Sequence, residues 1–366
     1  MPGLARLLWC SLSLLAASSH AEILIGQTIG VSGAVASTVR ETISGAELYL
    51  NSVNAAGGVN GDKIRLITLD DKFEPKLAYA NARELIEDQK VLALLLTRGT
   101  PHNEGIFPLL EQHKVALIAP STGAAVMRKP LKRYVFNVRA YQTEAEKAIS
   151  HLATVGLTRI GVVQVDDSFG ADAAIGVNKG LAANKLTALY TAKFDRSKPD
   201  FTQIARDAAK LNLQAVMMLG SGTAVVDGIK AMRQAGSAAQ FVTLSNNASD
   251  GFIKLLGNSA SGVIVTQVFP QSQSFGIVRE LKKIASAKGI DAVSPAMIEG
   301  FAAAKVLVEG LRRAGPNPTR KSLHTALESI RSFDLGGLEL GFSPDDHTGL
   351  SYTDLSIVNS SGQFSR

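Results

Sequence analysis

The chain has 366 residues, of which 46% are hydrophobic, and it carries 38 Lys and Arg against 32 Asp and Glu for a formal net charge of +6. That length accommodates two ordinary domains, and that apolar content is what a well-buried globular protein requires. The basic excess is spread along the sequence, with no Lys/Arg cluster of the kind that tracks a phosphate backbone, which excludes nucleic acid as an expected partner.

Residues 1–21 hold one basic residue, Arg6, an apolar stretch from Leu7 to Ala17, and small residues ending Ser19, His20, Ala21. This is the pattern of a secretory signal peptide cleaved after Ala21. A spanning helix needs about 20 consecutive apolar residues, roughly twice what this run offers. The single cysteine, Cys10, falls inside the segment and follows Trp9 where a lipidation signal has a small residue, so a soluble periplasmic product is expected instead of a lipoprotein. Removing Arg6 from the 38 basic residues leaves 37 against 32 acidic ones in the exported chain. No later segment reads as transmembrane.

Glu22 to Ile29 (EILIGQTI) alternates and then runs apolar, as a buried strand does, and Gly30, Ser32 and Gly33 follow as a turn. From Thr42 to Asn54 apolar residues recur at helical spacing, and Gly57 and Gly58 end that helix because glycine takes positive φ freely. Lys63 to Leu69 reads as a strand, Pro75 opens a helix, and Val91 to Leu96 is a nearly unbroken apolar run that suits a strand covered on both faces. Phe107 to Gln112 reads as a helix and Val115 to Ile118 as a strand. The order predicts a parallel α/β sheet with right-handed crossovers.

The same order then begins again. Ile160 to Val165, Leu189 to Phe194, Ala215 to Leu219, Phe241 to Leu244 and Gly262 to Val268 read as strands, separated by helices at Gly176 to Ala183, Phe201 to Leu211 and Ala224 to Gly236. After Phe269 come helices at Phe275 to Gly289, Pro295 to Ala314 and Arg320 to Ile330, then strand-like Gly337 to Phe342 and Tyr352 to Val358. Two successive α/β units imply two lobes. The trailing elements are too few for a third domain and are expected to pack back on both, so that the chain crosses between lobes more than once.

Catalytic motifs are incomplete. Gly30-Val31-Ser32-Gly33 lacks the spaced second glycine of a nucleophile elbow, since residue 34 is alanine, and Gly220-Ser221-Gly222 lacks the third glycine of a dinucleotide fingerprint, since Val225 stands there. His102, His113, His151, His324 and His347 contain no pair at metal-ligand spacing. Asp70 with Asp71, and Asp345-Asp346-His347, read as solvated turns in preference to metal sites. No metal, cofactor or catalytic residue is expected.

Polar loops that follow apolar strands remain: Ser32 to Ala36, Thr97 to Asn103, Pro120 to Gly123, Asp166 to Gly170, Gly220 to Thr223 and Ser245 to Ser249. In open α/β sheets ligands bind outside the carboxyl ends of strands, where backbone amides and helix N-termini converge. One such loop is most often a plain turn; their repetition along the chain predicts a ligand cleft lined by hydroxyls and amides.

The segments IGQTIGVSGAVAS, NAAGGVNG, LDDKFEP, APSTGAAVMR and VDDSFG, in order, make the chain resemble the leucine/isoleucine/valine-binding family of type I periplasmic receptors over essentially all of the exported sequence. The resemblance implies two Rossmann-like lobes with parallel central sheets joined by a three-stranded hinge, spanning 22–140 plus 269–345 and 141–268 plus 346–366. It implies a ligand enclosed by hinge closure, permease and ATPase subunits of an ABC importer as partners, and a monomer. At the family's carboxylate site stand Thr100 and then Ser121 with Gly123, Thr122 lying in the same loop, although these residues serve equally as helix caps. Phe169 matches the aromatic that closes the pocket from the second lobe, or is core. Thr38 fills a place where relatives carry an aromatic.

The sequence departs from the family in the second lobe. Where relatives hold an ammonium with an acidic side chain, MLGSGTA and TLSNNAS offer Ser221 or Gly222 and Ser245 or Asn246. An ammonium buried without a carboxylate is costly. The expected ligand is therefore an amino acid held without that anchor or, better matched, a small carboxylate or amide. Arg98, beside Thr100, offers a cation to an anionic ligand unless it is a solvated surface arginine. A sensor that presents its closed form to a membrane receptor is the alternative within binding proteins. A secreted hydrolase of small amides or esters would need a base near Ser32 or Ser121, and a repressor would carry a helix-turn-helix where the export signal stands.

Overall fold

The computed structural model describes residues 22–140 and 143–365; the leader with Cys10 lies outside them. The first sheet has the order β2-β1-β3-β4-β5 and is parallel throughout: β1 Glu22–Ile29, β2 Lys63–Asp70, β3 Ala93–Leu95, β4 Ala116–Ile118 and β5 Val135–Phe136. The helices α1 Ala36–Ala55, α2 Pro75–Glu87 and α3 Thr100–His113 make the crossovers. β3 and β4 are buried along their whole length, as expected of strands covered on both faces.

The second sheet has the order β14-β13-β10-β9-β8-β6-β7, comprising β6 Ile160–Val165, β7 Tyr190–Phe194, β8 Ala215–Leu219, β9 Gln240–Thr243 and β10 Ile264–Gln267 in parallel. β13 Asp354–Val358 and β14 Phe364–Ser365 extend it antiparallel. Its helices are α4 Thr143–Thr154, α5 Ser168–Ala183, α6 Thr202–Lys210, α7 Thr223–Gln234 and α8 Asp250–Leu256. After β10 the chain returns: α9 Gly276–Ser286, α10 Pro295–Ala314, α11 Arg320–Glu328 and the small ribbon of β11 Phe333–Asp334 with β12 Glu339–Leu340 share the core of the first sheet. The fold class follows the expectation. The final crossing comes later than the expected change at 345/346, because His347 Nδ1 pairs with the Val135 carbonyl at 3.1 Å and Leu350 packs in the first core.

Three elements differ from the sequence reading for identifiable reasons. α3 starts at Thr100, well before Phe107, because Pro101 sits in the first turn, where its missing N–H is harmless, and Pro108 is carried inside the helix. α5 starts at Ser168, because the Asp167 carboxylate accepts the amides of Phe169 at 2.9 Å and Gly170 at 3.1 Å. The strand expected at Gly337 to Phe342 shrinks to β12, since Gly336 and Gly337 turn at positive φ with their amides on Asp334 Oδ1.

A buried ionic cluster ties the lobes where the chain first crosses. Arg139 lies 3.3 Å from Glu299 of α10 and 3.8 Å from Glu144 of α4, and it donates to Ser245 Oγ in the second lobe. Breaking such a pair from one side leaves an uncompensated charge, which is why it holds the joint in register.

α1 and α10 cross with backbones touching. A Cβ on Gly45 would sit 1.9 Å from the Met297 carbonyl oxygen, and one on Gly300 would sit 1.8 Å from that of Thr42. Neither obstacle is a flexible side chain, so relief requires moving a whole helix. Gly45→Val is expected to lower the unfolding free energy by about 3 kcal/mol, the upper end for overpacking. Urea denaturation measures it, and a loss below about 1 kcal/mol would contradict backbone contact at this crossing.

Candidate functional site

Loops from both sheets meet at their carboxyl ends, where the order β2-β1-β3 places the topological switch. After β3 the backbone turns through positive φ at Leu96 and Gly99, and Ser121 N donates to the Thr97 carbonyl at 2.8 Å, pinning the loop after β3 to the loop after β4. Asn103 Nδ2 bonds the Gly99 carbonyl at 2.7 Å and closes the first turn of α3. Thr100 thereby faces Thr122, hydroxyl to hydroxyl at 2.8 Å. In the second lobe, Asn246 Nδ2 holds both the Gly220 carbonyl and Ser221 Oγ at 2.9 Å.

The lobes are closed on each other. Thr38 Oγ1 meets Ser249 Oγ at 2.8 Å, Glu41 accepts the amides of Asp250 at 3.1 Å and Gly251 at 2.6 Å, and Thr223 N donates to the Ala34 carbonyl at 3.0 Å. Inside this closure lies a cavity of ≈10 Å³, lined by Phe73, Arg98, Gly99, Thr100, Ser121 and Thr122 from the first lobe and by Phe169, Arg196, Ser221 and Asn246 from the second. That volume is about what one water molecule needs. A wider cleft of ≈660 Å³, lined among others by Lys72, Phe73, Asp167, Arg196 and Ser221, opens beside it to solvent.

Arg98 is the central charge. It is a buried side chain, so the surface reading of the sequence does not apply. Its guanidinium donates to Ser121 Oγ at 3.2 Å and, across the cleft, to the Asn246 carbonyl. Among the described residues no carboxylate lies within ion-pair distance of it. Burial pushes its pKa down to about 10, which leaves it cationic at neutral pH. Arg196, in contrast, is paired with Asp167, its Nε 2.6 Å from Oδ2.

Of the residues singled out in the sequence, Arg98, Thr100, Ser121, Thr122, Phe169, Ser221 and Asn246 come together on the cavity. The others lie around it. Ser32 is exposed and bonded to Asp70, Thr38 bridges the lobes to Ser249, and Gly123 is buried outside the lining. Gly222 N donates to Asn247 Oδ1 at 2.9 Å, and Ser245 belongs to the Arg139 cluster. Sequence reasoning missed Phe73, Gly99 and Arg196 as lining residues. Phe73 was inside the LDDKFEP motif and Gly99 inside a named loop; Arg196 follows a strand in a polar loop of the kind counted elsewhere, and only its omission from that count hid it.

Phe73 is held at a positive φ of 63° by Asp71, whose Oδ1 accepts its amide at 2.8 Å. A non-glycine residue there stores on the order of 1–2 kcal/mol of strain. Burial raises the Asp71 pKa to about 6. Behind Phe73 the ring of His102 stacks at 4.6 Å, and burial, reinforced by Arg196, pushes its pKa down to about 4.

The family described as periplasmic binding protein matches residues 22–363. The chain is similar to a Leu/Ile/Val/Thr-binding protein of Salmonella typhimurium, 25% identical over 67% of this chain and 68% of the relative. It is similar to a leucine-specific-binding protein of the same organism, 23% identical over 86% of this chain and 83% of the relative. Among solved structures, a substrate-binding periplasmic protein from Ralstonia solanacearum superposes with a TM-score of 0.86 at 31% identity, covering 93% of this chain and 99% of that one.

The two buried titrating groups act in opposite directions. His102 is neutral when folded and takes up a proton on unfolding, so its contribution is lost as pH falls from 6.5 toward about 4. Asp71 binds its proton more tightly when folded, so its contribution is present in acid and lost as pH rises through about 6. Between pH 6 and 4 they offset each other. Asp71→Asn is therefore expected to reveal the His102 loss as an added stability decrease of about 2–3 kcal/mol from pH 6.5 to 4, read by urea denaturation. A pH profile parallel to that of the unsubstituted protein would contradict the opposing pair.

Proposed function

The chain belongs to the periplasmic binding protein family, and on that premise we propose that it is an extracytoplasmic receptor for a small organic carboxylate without an ammonium group, which it delivers to an ABC importer. The observation that carries this reading is Arg98, a buried cation with no carboxylate within ion-pair distance among the described residues. An unpaired buried charge is penalised by several kcal/mol, and an anionic ligand removes that penalty. The hydroxyls of Thr100, Ser121 and Thr122 and the N-terminus of α3 supply further donors to the same oxygen atoms. No acidic residue lines the cavity, so an ammonium would find no counter-charge there.

A cavity of ≈10 Å³ admits no organic molecule, so capture requires the lobes to part and reclose about the hinge. The bonds from Arg98 to the Asn246 carbonyl and from Thr38 to Ser249 are then made only in the closed form. In this reading the leader through Ala21 is removed on export, permease and ATPase subunits are the partners, and the chain performs no chemistry. Ser121 Oγ accepts from Arg98 and is not engaged by a base among the described residues, which supports capture over hydrolysis.

A thermal-shift screen of residues 22–366 against carboxylates, their amides and α-amino acids tests the proposal. A micromolar ligand at millimolar concentration stabilises by about 4 kcal/mol, so carboxylates should shift the melting temperature and amides should not. A larger shift with leucine or its analogues than with any carboxylate would overturn the ammonium-free reading. Arg98→Met is expected to leave the ligand-free melting temperature unchanged or raised while abolishing the ligand-induced shift. A large destabilisation with the shift retained would mean that Arg98 is structural.

A further inference from the structure

We infer that Arg196 is a specificity-determining residue: stacked on Phe73 across the closed cleft, it forms the lid that separates the inner cavity from the outer cleft and so limits ligand length. The inference rests on the inner cavity being the ligand site.

Phe73, Arg196 and Ser221 line both the ≈10 Å³ cavity and the ≈660 Å³ cleft, so they form the partition between the two. The Arg196 guanidinium carbon lies 4.8 Å from the Phe73 ring centroid, within cation–π range. Both partners are fixed from behind. Phe73 is held by Asp71 and stacked on His102 in the first lobe. Arg196 is held by Asp167 Oδ2 in the second, and the other oxygen of that carboxylate caps α5 at Phe169. The loop carrying Arg196 is itself set by Asp195 Oδ1, which accepts the amides of Ser197 at 2.6 Å and Lys198 at 3.0 Å.

Charge distinguishes this arginine from the inner one. Among the described residues Arg98 has no carboxylate within ion-pair distance, whereas Arg196 is already neutralised by Asp167 and requires no anion from the ligand. Its effect is therefore one of shape. The closed cavity admits no organic molecule, so a ligand whose carboxylate sits on Arg98 is enclosed only when the lobes reclose around it with Phe73 and Arg196 bounding its far end, and a longer ligand must push that pair toward the cleft. Removing the guanidinium joins the two spaces while leaving Arg98, Thr100 and Ser121 in place.

Calorimetric titration of two homologous series, benzoate to 4-phenylbutanoate and butanoate to octanoate, into the unsubstituted protein, Arg196→Ala and Arg196→Lys tests the lid. Affinity should fall beyond a limiting length in the unsubstituted protein and in Arg196→Lys, which keeps a cation over the ring. In Arg196→Ala the ratio of affinities for the longest and shortest members should rise at least tenfold. The same length profile in all three proteins would overturn the inference. If no carboxylate binds any of them, the anion reading of the site falls, and the lid is then decided by amide hydrogen exchange without ligand. Faster exchange at Gly99 to Asn103 in Arg196→Ala than in the unsubstituted protein supports a lid, and unchanged exchange overturns it.

Discussion

A guanidinium taken out of water needs either a paired anion or a set of dipoles that replaces its hydration, and Arg98 has only part of the second. Ser121 and the Asn246 carbonyl each accept one of its hydrogen bonds, and the latter partner belongs to the opposite lobe. The closed form thus contains a buried charge with no carboxylate among the described residues within ion-pair distance, Glu299 and Asp71 acting on it only from farther away. In the proposed receptor a ligand anion would complete the site, and bonding to residues of both lobes would favour closure over opening.

The rest of the structure positions that charge. Parallel strands place their carboxyl ends side by side, and the loop after β3 is pinned to the loop after β4 by the amide of Ser121. Strain at Phe73 is maintained by Asp71, and the aromatic both packs with Ile29, Val35 and Val39 of its own lobe and borders the cleft. Where the chain first crosses, Arg139 makes direct ion pairs with Glu299 and Glu144, one from either lobe, whereas Arg98 feels Glu299 and Asp71 only from beyond ion-pair distance. Two buried arginines in one joint region therefore differ: Arg139 is ion-paired across the crossing, and Arg98 is the one that the proposed reading assigns to the ligand.

Much of this was legible in the sequence, and the reasons differ by feature. Apolar runs such as AVMML of β8 announce strands buried on both faces, and their repetition fixed the two-lobed α/β class before any geometry. Helix starts were harder: Pro101 and Gly105 hid the first turns of α3, and the cap at Asp167 that starts α5 was passed over. At the site, hydroxyl loops after strands led to Thr100, Ser121, Thr122, Ser221 and Asn246. They did not separate those residues from Ser32, Gly123 and Gly222, because whether a loop residue faces the cleft depends on backbone turns at Leu96, Gly99 and Ala119 that no periodicity encodes. The environment of Arg98 was equally invisible, since one of its hydrogen-bond partners, the Asn246 carbonyl, lies 148 positions away. Arg196 acquires its role only from contact with Phe73 of the other lobe.

The central claim is that Arg98 selects for negative charge, and an isosteric pair of probes isolates that property. Titrating benzoate and benzamide into residues 22–366 and into Arg98→Gln, by calorimetry at constant ionic strength, compares the same ring with and without the charge. The unsubstituted protein is expected to prefer benzoate at least tenfold, and Arg98→Gln to lose this preference while still folding cooperatively. Equal affinity for the two probes in the unsubstituted protein, or a preference for benzoate that survives in Arg98→Gln, would contradict it.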